Sequence, residues 1–266
     1  TWSNNFTAVS DDCGATGSAT VEFYATDECG NVSTSTATFT IEDTTDPVIA
    51  SPASDMTVEC DGAGNTTALN NWLAANGGAG VATDDCSGVT WSNDFTGLSD
   101  LCGATGAATV IFTASDDCGN TASTTATFTI EDTTNPSLDV ASADMTVECD
   151  GAGNTAELNA WLADNGGAEA SDVCGGVTWS NNFSALSDDC GATGSATVTF
   201  TATDDCGLST STTATFTIED TTAPTLLTTA DDLTVECDGA GNLADLNGWL
   251  DSQAGATASE ICGDYV

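Results

Sequence analysis

The stretch TVIFTASDDCGNTASTTATFTIED, residues 109–132, decides the fold, because apolar residues alternate with threonine and serine on both sides of a cysteine-bearing turn. Such period-two alternation is typical of half-buried antiparallel strands. The flanking segments show the same pattern. The apolar positions are Val89, Trp91 and Phe95; Val110 and Phe112; Ala126, Phe128 and Ile130; Met145, Val147 and Cys149. This spacing predicts an all-β sandwich of the immunoglobulin type.

One segment has helical spacing instead. Leu69, Trp72 and Leu73 stand at i, i+3 and i+4, between Asn65 or Thr66 as the N-cap and Gly77 as the C-terminal stop. We therefore expect a short helix that covers one edge of the sandwich.

Internal repeats set the domain organisation. TWSNNF at Thr1 recurs as TWSNDF at Thr90 and TWSNNF at Thr178, and VECDGAGN occurs at Val58, Val147 and Val235, so the period is 88 to 89 residues. This length suits a small domain better than a solenoid repeat. We predict tandem modules arranged as beads in a fibre: the C-terminal part of a module (1–46), two complete modules (47–134 and 135–222), and the N-terminal part of another (223–266).

The two partial modules complement each other. The closing residues ICGDYV stand where the other copies read CSGV or CGGV, just before the next TW, so joining Val266 to Thr1 would restore a module with one extra residue. This interpretation leaves two possibilities: a window on a longer repetitive chain, or copies that complete one another head to tail. An open contact of the second kind builds a filament.

The charge of the chain restricts its partners and its chemistry. With 41 acidic residues and no Lys, Arg or His, the formal net charge is −41. Nucleic acids and anionic membranes are bound through basic clusters, which this chain lacks. An enzyme is disfavoured as well, since the usual general base and any cationic anion-binding group are missing. Only a carboxylate pair of glycosidase type is left, and the acids repeat in every copy, as structural residues do.

The 12 cysteines repeat four to a module. Without histidine or a C-x-x-C motif, a zinc site is disfavoured, and disulfides in an oxidising compartment are expected. Strand directions predict the pairs Cys60–Cys102, Cys86–Cys118, Cys149–Cys190 and Cys174–Cys206. Cys13, Cys29, Cys237 and Cys262 would then lack partners, with Cys237 pairing to a Cys13 equivalent and Cys262 to a Cys29 equivalent in an adjoining unit.

Acidic residues recur where one bead should meet the next. The linkers IEDTTDP, IEDTTNP and IEDTTAP leave the lower end of a module and enter the upper end of the following one, which carries acidic cysteine loops. Calcium accepts six to eight oxygen ligands in flexible geometry, so these sets predict calcium at the junctions. The other interpretation is that the acids are turn residues that also confer solubility. The candidate metal ligands are Glu42, Asp43, Asp46, Asp84, Asp85, Asp116 and Asp117; Glu131, Asp132, Asp172, Asp204 and Asp205; Glu219, Asp220 and Glu260; and, in the first partial module, Asp27 and Glu28.

The motifs ATDECGN, ASDDCGN and FTIEDTT followed by proline resemble the hyalin-repeat and immunoglobulin-like modules of large Bacteroidetes-type cell-surface adhesins, including gliding-type adhesins. The resemblance covers every module. It implies an extracellular β-sandwich array used as an adhesin stalk or surface fibre, and O-glycosylation of Thr44, Thr133 and Thr221 in the DTT motifs. Hyalin repeats place a cysteine in the last strand, whereas STATFTI and STTATFTI have none, so the family's disulfide pairing is not carried over.

The predicted function is a structural repeat segment of an extracellular, calcium-rigidified filament or adhesin stalk at the cell surface, with copies of itself or further modules of the same chain as partners. The alternative is a carbohydrate- or surface-binding β-sandwich module that uses outward threonines such as Thr125, Thr127 and Thr129. A binding role predicts one divergent module, and the copies are nearly interchangeable.

Overall fold

The computed structural model describes residues 1–263, so the last residues of the predicted join, 264–266, lie outside the described part. The chain divides into two compact units, Thr1–Thr133 and Thr134–Val266. The first unit contains the partial module 1–46 and the module that follows it. The second contains the next module and the partial module that starts at residue 223.

The first unit holds nine strands, one α-helix (α1) and one 3-10 turn. Strands β1 to β9 are Trp2–Asn4, Gly17–Thr26, Val32–Ile41, Val48–Ile49, Met56–Glu59, Ala82–Thr83, Val89–Asn93, Gly106–Asp116 and Thr121–Glu131; α1 is Thr66–Ala74 and the 3-10 turn is Asn76–Gly78. The partial module is a three-stranded sheet in the order β1-β2-β3. The complete module has a four-stranded sheet in the order β5-β9-β8-β7 and a two-stranded sheet of β4 and β6.

The hairpin of β8 and β9 is the centre of the complete module. Its antiparallel register pairs Val110 with Ala126 and Ala108 with Phe128, so the apolar residues of both strands fall on the same face. Val110, Phe112 and Phe128 are fully buried on that face. On the other face, the hydroxyls of Thr109 and Thr127 are hydrogen-bonded to each other at 3.0 Å. The period-two pattern thus sets which side of the sheet is buried.

A short strand completes the sheet from the side of β9. Strand β5 runs parallel to β9, with Met56 opposite Phe128 and Val58 opposite Ile130. The chain then turns at Asp61, whose Oδ1 accepts the backbone N–H groups of Ala63 (2.8 Å) and Asn65 (2.9 Å), and Asn65 is the N-cap residue of the helix.

The expected helix exists, but it packs over the apolar face of the sheet instead of covering an edge. The Trp72 ring lies 5.2 Å from the Phe112 ring in an edge-to-face arrangement and 5.5 Å from the Phe128 ring. The Trp72 indole N–H donates to the Ser54 carbonyl at 3.2 Å. Phe112 and Phe128 lie on β8 and β9, the two central strands of the four-stranded sheet, so the Trp72 ring packs on the face of the sheet.

The second unit repeats this arrangement. Strands β10 to β17 are Ser137–Val140, Met145–Glu148, Glu169–Ser171, Val177–Asn181, Gly194–Asp204, Ser209–Glu219, Thr225–Thr228 and Thr257–Ser259; α2 is Thr155–Ala163, α3 is Leu243–Asp251, and 3-10 turns span Asn165–Gly167 and Gln253–Gly255. The four-stranded sheet has the order β11-β15-β14-β13, and β10 pairs with β12 and β16 with β17. Trp161 again packs on Phe200 and Phe216.

These elements confirm the predicted fold class, tandem all-β sandwich-type modules, and the modules that begin at residues 47, 135 and 223 each contain one short helix. None of the helices within residues 1–263 has the length and apolarity of a membrane span.

Candidate cation site where two modules meet

In the first unit, the lower end of the partial module 1–46 contacts the upper end of the next module. We call this contact the first junction, and it consists of the loop at Cys13, the linker at Asp43 and the loops at Cys86 and Cys118. The Ala15 N–H donates to the Cys86 carbonyl at 2.8 Å. A disulfide joins Cys13 to Cys118, with 5.2 Å between their Cα atoms. The junction therefore brings together the linker acids of one module and the loop acids of the next.

Asp43 and Asp84 form the centre of the site. A carboxylate oxygen of each, together with the Cys86 sulfur, lies within 4.8 Å of the others. Asp43 Oδ1 accepts the Thr45 N–H at 3.1 Å, whereas its Oδ2 is buried and has no hydrogen-bond partner. Asp84 accepts hydrogen bonds from the N–H groups of Cys86 and Ser87, and both go to its Oδ1. One oxygen of each carboxylate is thus left for a cation.

The electrostatics at the first junction are those of an uncompensated anionic site. The chain holds no Lys, Arg or His. Burial, followed by the charges of Asp43 and Asp84, raises the pKa of the Cys86 thiol. A buried carboxylate oxygen without a donor carries a desolvation cost, which a bound cation offsets.

Several predicted ligands instead hold turns. Asp116 Oδ1 accepts the N–H groups of Cys118 and Asn120, both at 2.9 Å, and its Oδ2 accepts the Asn120 side-chain amide at 2.8 Å. Asp27 makes the same set of contacts with Cys29 and Asn31, and the Asn31 amide lowers the pKa of Asp27. For these two residues the turn interpretation accounts for the hydrogen bonds.

The remaining candidates of the first set lie at the surface. Glu28, Glu42, Asp46, Asp85 and Asp117 are exposed. Asp117 Oδ2 accepts the Gly88 N–H at 3.3 Å, which ties its loop to the neighbouring one. The sequence offered no way to separate these acids from Asp43, since burial and not residue type distinguishes them.

The second predicted set is divided between the two units. Glu131 and Asp132 belong to the first unit, and Asp172, Asp204 and Asp205 to the second, so this site stays a prediction. Within the second unit, Asp172 Oδ1 accepts the Cys174 N–H at 2.7 Å and Asp205 Oδ2 accepts the Gly176 N–H at 2.8 Å. Asp204 Oδ2 is buried without a hydrogen-bond partner, because Leu208 stands where the equivalent turn has Asn120.

The third predicted set lies in the second unit, where Glu219 and Asp220 are exposed. Glu260 is the sequence equivalent of Asp84. Its Oε1 accepts the Ile261 N–H at 2.7 Å, and its Oε2 is buried without a hydrogen-bond partner. At the first junction the buried oxygen without a hydrogen-bond partner belongs instead to the linker residue Asp43.

The predicted disulfide pairing is wrong where the structure gives a bond. Cys118 is bonded to Cys13 and not to Cys86, and Cys149 is bonded to Cys262 and not to Cys190. Cys13 and Cys262, expected to lack partners within the chain, are both in disulfides. The physical reason is that the lower end of one module touches the upper end of the next, which brings cysteines of neighbouring modules closer than those at opposite ends of one sheet.

The other two predicted pairs were Cys60–Cys102 and Cys174–Cys206. All four of these cysteines interact with other groups in the structure. Their repeat equivalents, Cys149–Cys190 and Cys86–Cys118, are not bonded to each other. The repeat therefore gives these two predictions no support.

The threonines of the DTT motifs have a structural role that the sequence did not indicate. The Thr133 N–H and hydroxyl donate to the two oxygens of Glu59 at 2.9 and 2.8 Å, and Thr221 binds Glu148 at the same distances. Thr44, the equivalent in the partial module, is exposed. In the sequence, only the glutamate of each VECDGAGN motif could have indicated this role of the threonines. O-glycosylation of these threonines stays a prediction.

Comparisons with known proteins identify no family. No family model matches the chain, and no curated protein matches its sequence. Similar solved structures are cadherin extracellular domains. PcdhgB3 EC1-4 has a TM-score of 0.31 and 12% identity, over 82% of this chain and 62% of that one. Protocadherin Gamma B2 domains 1-5 has a TM-score of 0.32 and 11% identity, over 84% and 49%. Drosophila N-cadherin EC1-4 has a TM-score of 0.27 and 10% identity, over 79% and 59%.

The chain thus spans less than two thirds of each of these structures. Their scores are too low to carry an argument about ligands or partners. The resemblance to hyalin-repeat modules stays a prediction.

Proposed function

We propose that this chain is a non-enzymatic structural segment of an extracellular filament or adhesin stalk, in which modules follow one another head to tail and calcium stiffens the junctions. The observation that carries the proposal is the first junction: Asp43, whose buried Oδ2 lacks a donor, lies beside Asp84 of the next module in a chain without any basic side chain. Disulfides that join one module to the next fit a load-bearing role in an oxidising compartment.

Calcium suits the donor set at this junction. Hard oxygen donors bind it well, and its coordination shell accepts water and backbone carbonyls beside carboxylates. Asp43 and Asp84 would hold the ion, one from each module, so that binding links the two bodies. The Cys86 sulfur is a poor ligand for a hard cation, and magnesium would demand a stricter octahedron.

A surface-binding function finds less support. The outward threonines on the central hairpins pair their hydroxyls with each other, as Thr20 with Thr38 at 2.9 Å and Thr197 with Thr215 at 3.0 Å. Hydroxyls bonded in this way across strands stabilise the sheet face and are less available to a ligand.

The test compares calcium-dependent thermal unfolding of three proteins: the wild-type chain, Asp43→Asn, and the matched control Asp46→Asn on the exposed part of the same linker. Calcium at a hundred times its dissociation constant stabilises the folded state by about 2.7 kcal/mol. We expect a rise in the Tm of the first unit for the wild type and for Asp46→Asn that chelation reverses, and the loss of that rise in Asp43→Asn.

Electron micrographs before and after EGTA test the mechanical role. Stiff fibres that become flexible on chelation support calcium clamps at the junctions. If the Tm of the wild type is the same with calcium and with EGTA, the clamp is refuted and the acids are turn residues only.

A further inference from the structure

The disulfides Cys13–Cys118 and Cys149–Cys262 belong to junctions of the same geometry. In the second unit, the Ala192 N–H donates to the Cys262 carbonyl at 2.7 Å, as Ala15 does to Cys86 in the first. Ala15 and Ala192 are repeat equivalents, and so are Cys86 and Cys262. The contact between modules is therefore a repeated one, although a different disulfide is formed at each of these two junctions.

Each of the two junctions contains one disulfide, and the two disulfides join different positions of the repeat. The bond Cys13–Cys118 joins the Cys-Gly-Ala-Thr loop of one module to the upper turn of the next. The bond Cys149–Cys262 joins the VEC strand of one module to the other upper loop of the next. The two bonds use different cysteines, so a junction with all four cysteines would contain both.

The scheme leaves over Cys29, Cys86, Cys190 and Cys237, and within the described residues 1–263 none of these four is in a disulfide. Cys86 needs a VEC cysteine, which the partial module 1–46 does not contain and which Cys237 supplies at the other end of the chain. Cys190 is the repeat equivalent of Cys13, so its partner would be the upper-turn cysteine of a following module. Cys29, the equivalent of Cys118, is a cysteine of that kind. Cys29 and Cys237 are exposed in the structure.

The apolar face of the partial module 1–46 lacks its cover. Phe39 is 62% exposed and Ile41 38% exposed, whereas their equivalents Phe128 and Ile130 are 0% and 1% exposed. In the complete module, β5 and α1 cover these positions. The uncovered face is therefore the one on which a VEC strand and its helix belong.

The partial module from residue 223 carries that missing cover. Its residues 233–236, LTVE, are not in a strand, whereas the equivalent Met56–Glu59 and Met145–Glu148 are strands paired to a parallel neighbour. Leu246 is 45% exposed against 7% for its equivalent Leu158. A groove of about 290 Å³ lies between Leu233, Val235, Leu246 and Trp249, where a complete module places its phenylalanines.

From these observations we propose that a second copy of this chain completes each partial module and that two intermolecular disulfides, Cys86–Cys237 and Cys29–Cys190, lock the copies together. This rests on the proposed filament function and adds its covalent chemistry. Residues 233–236 of one copy pair in parallel with β3 of the next, with Leu233 opposite Phe39 and Val235 opposite Ile41. Glu236 accepts hydrogen bonds from Thr44 of the next copy, as Glu59 does from Thr133.

The contact is heterologous, because each copy offers one face of each kind, and heterologous contacts build an open filament wherever the rotation between copies does not close a ring. Each bond forms by exchange with a disulfide oxidant such as glutathione disulfide. Two cysteine thiols lose two protons and two electrons, and one glutathione disulfide is reduced to two glutathione molecules.

A one-directional mixing experiment tests the pairing. Variant A carries Cys29→Ser and Cys86→Ser, and variant B carries Cys190→Ser and Cys237→Ser. All four positions lie outside the disulfides of the single chain, and near-ultraviolet circular dichroism of each variant checks the fold. In a glutathione redox buffer, non-reducing electrophoresis should show monomer for A alone and for B alone, and covalent dimer without higher species for the mixture.

Peptide mapping of the oxidised wild type identifies the bonds, with pepsin in place of trypsin because the chain has no Lys or Arg. Peptides joining Cys86 to Cys237 and Cys29 to Cys190 between copies are expected. Any other pairing of these four cysteines, or covalent dimers of A alone, overturns the proposal.

Two further outcomes separate this inference from the proposed function. Filaments that form with all four thiols free overturn the disulfides and leave the filament function standing. A wild-type chain that stays monomeric in calcium and redox buffer overturns the second copy as occupant. Adjoining segments of a longer chain would then cover the two faces.

Discussion

Truncation of the same aromatic residue at two equivalent positions should have opposite consequences. Phe128 is 0% exposed and its ring lies 5.5 Å from that of Trp72, whereas Phe39 is 62% exposed. Removing a buried phenylalanine ring costs about 3–5 kcal/mol, because the transferred surface and the cavity both count. A change at an exposed site stays within about 0.5 kcal/mol. We therefore expect Phe128→Ala to lower the unfolding free energy of the first unit severely and Phe39→Ala to leave it nearly unchanged.

Urea denaturation followed by tryptophan fluorescence measures this difference. The background is the chain with Cys29→Ser and Cys86→Ser, which lacks two of the four thiols proposed to join copies. Phe216→Ala provides an internal replicate in the second unit, since Phe216 is also fully buried.

For filament assembly, in contrast to stability, the change at Phe39 should have a clear effect. Phe39→Ala, in the wild-type background, should lower filament yield because it removes the ring that faces Leu233 of the next copy. An equal loss of stability for Phe39→Ala and Phe128→Ala, or undiminished assembly of Phe39→Ala, would refute the idea that the partial module keeps its face open for a partner.

Two further predictions concern single carboxylates. Leu208→Asn should raise the unfolding free energy of the second unit by about 1 kcal/mol in thermal or urea unfolding, because the new amide can donate to the buried, partnerless Asp204 Oδ2. The reciprocal change Asn120→Leu should lower the unfolding free energy of the first unit. A neutral result for both variants would contradict the assigned hydrogen bond. Glu148 accepts hydrogen bonds from the backbone and hydroxyl of Thr221 and from the hydroxyl of Thr222, and these lower its pKa below the ordinary 4.5. A lowered pKa adds stability that is complete above the ordinary pKa and is lost as pH falls through the folded value. The difference in urea midpoint between wild type and Glu148→Gln should thus be constant near neutral pH and shrink only on acidification below about 4.5; a difference that stays constant on acidification would show that the carboxylate is not engaged.

The sequence alone determined the repeat and the buried face of the central hairpin in each complete module, but not the parallel pairing of β5 with β9. Alternation along residues 109–132 determines which side chains of β8 and β9 are buried, because a strand offers only two faces. The spacing of Leu69 and Trp72 placed the helix within one residue of its observed start. Neither pattern indicates which surface the helix meets, since burial of Trp72 on a sheet face or at an edge requires the same apolar stripe.

Tertiary structure decided the chemistry at the junctions. The sequence placed the linker acids near the loop acids, and the structure brings Asp43 to Asp84. Only burial distinguishes Asp43 from exposed neighbours such as Asp46, because a carboxylate becomes costly where water is excluded, whatever its place in the motif.

The disulfides show the same limit. Strand directions correctly separated the upper cysteines from the lower ones, yet pairing depends on distances between Cα atoms that are set by how modules stack. Cys13 meets Cys118 and Cys149 meets Cys262 because the end of one module rests on the beginning of the next. The local pattern of a repeat determines each module, while contacts between modules arise only once both surfaces have formed.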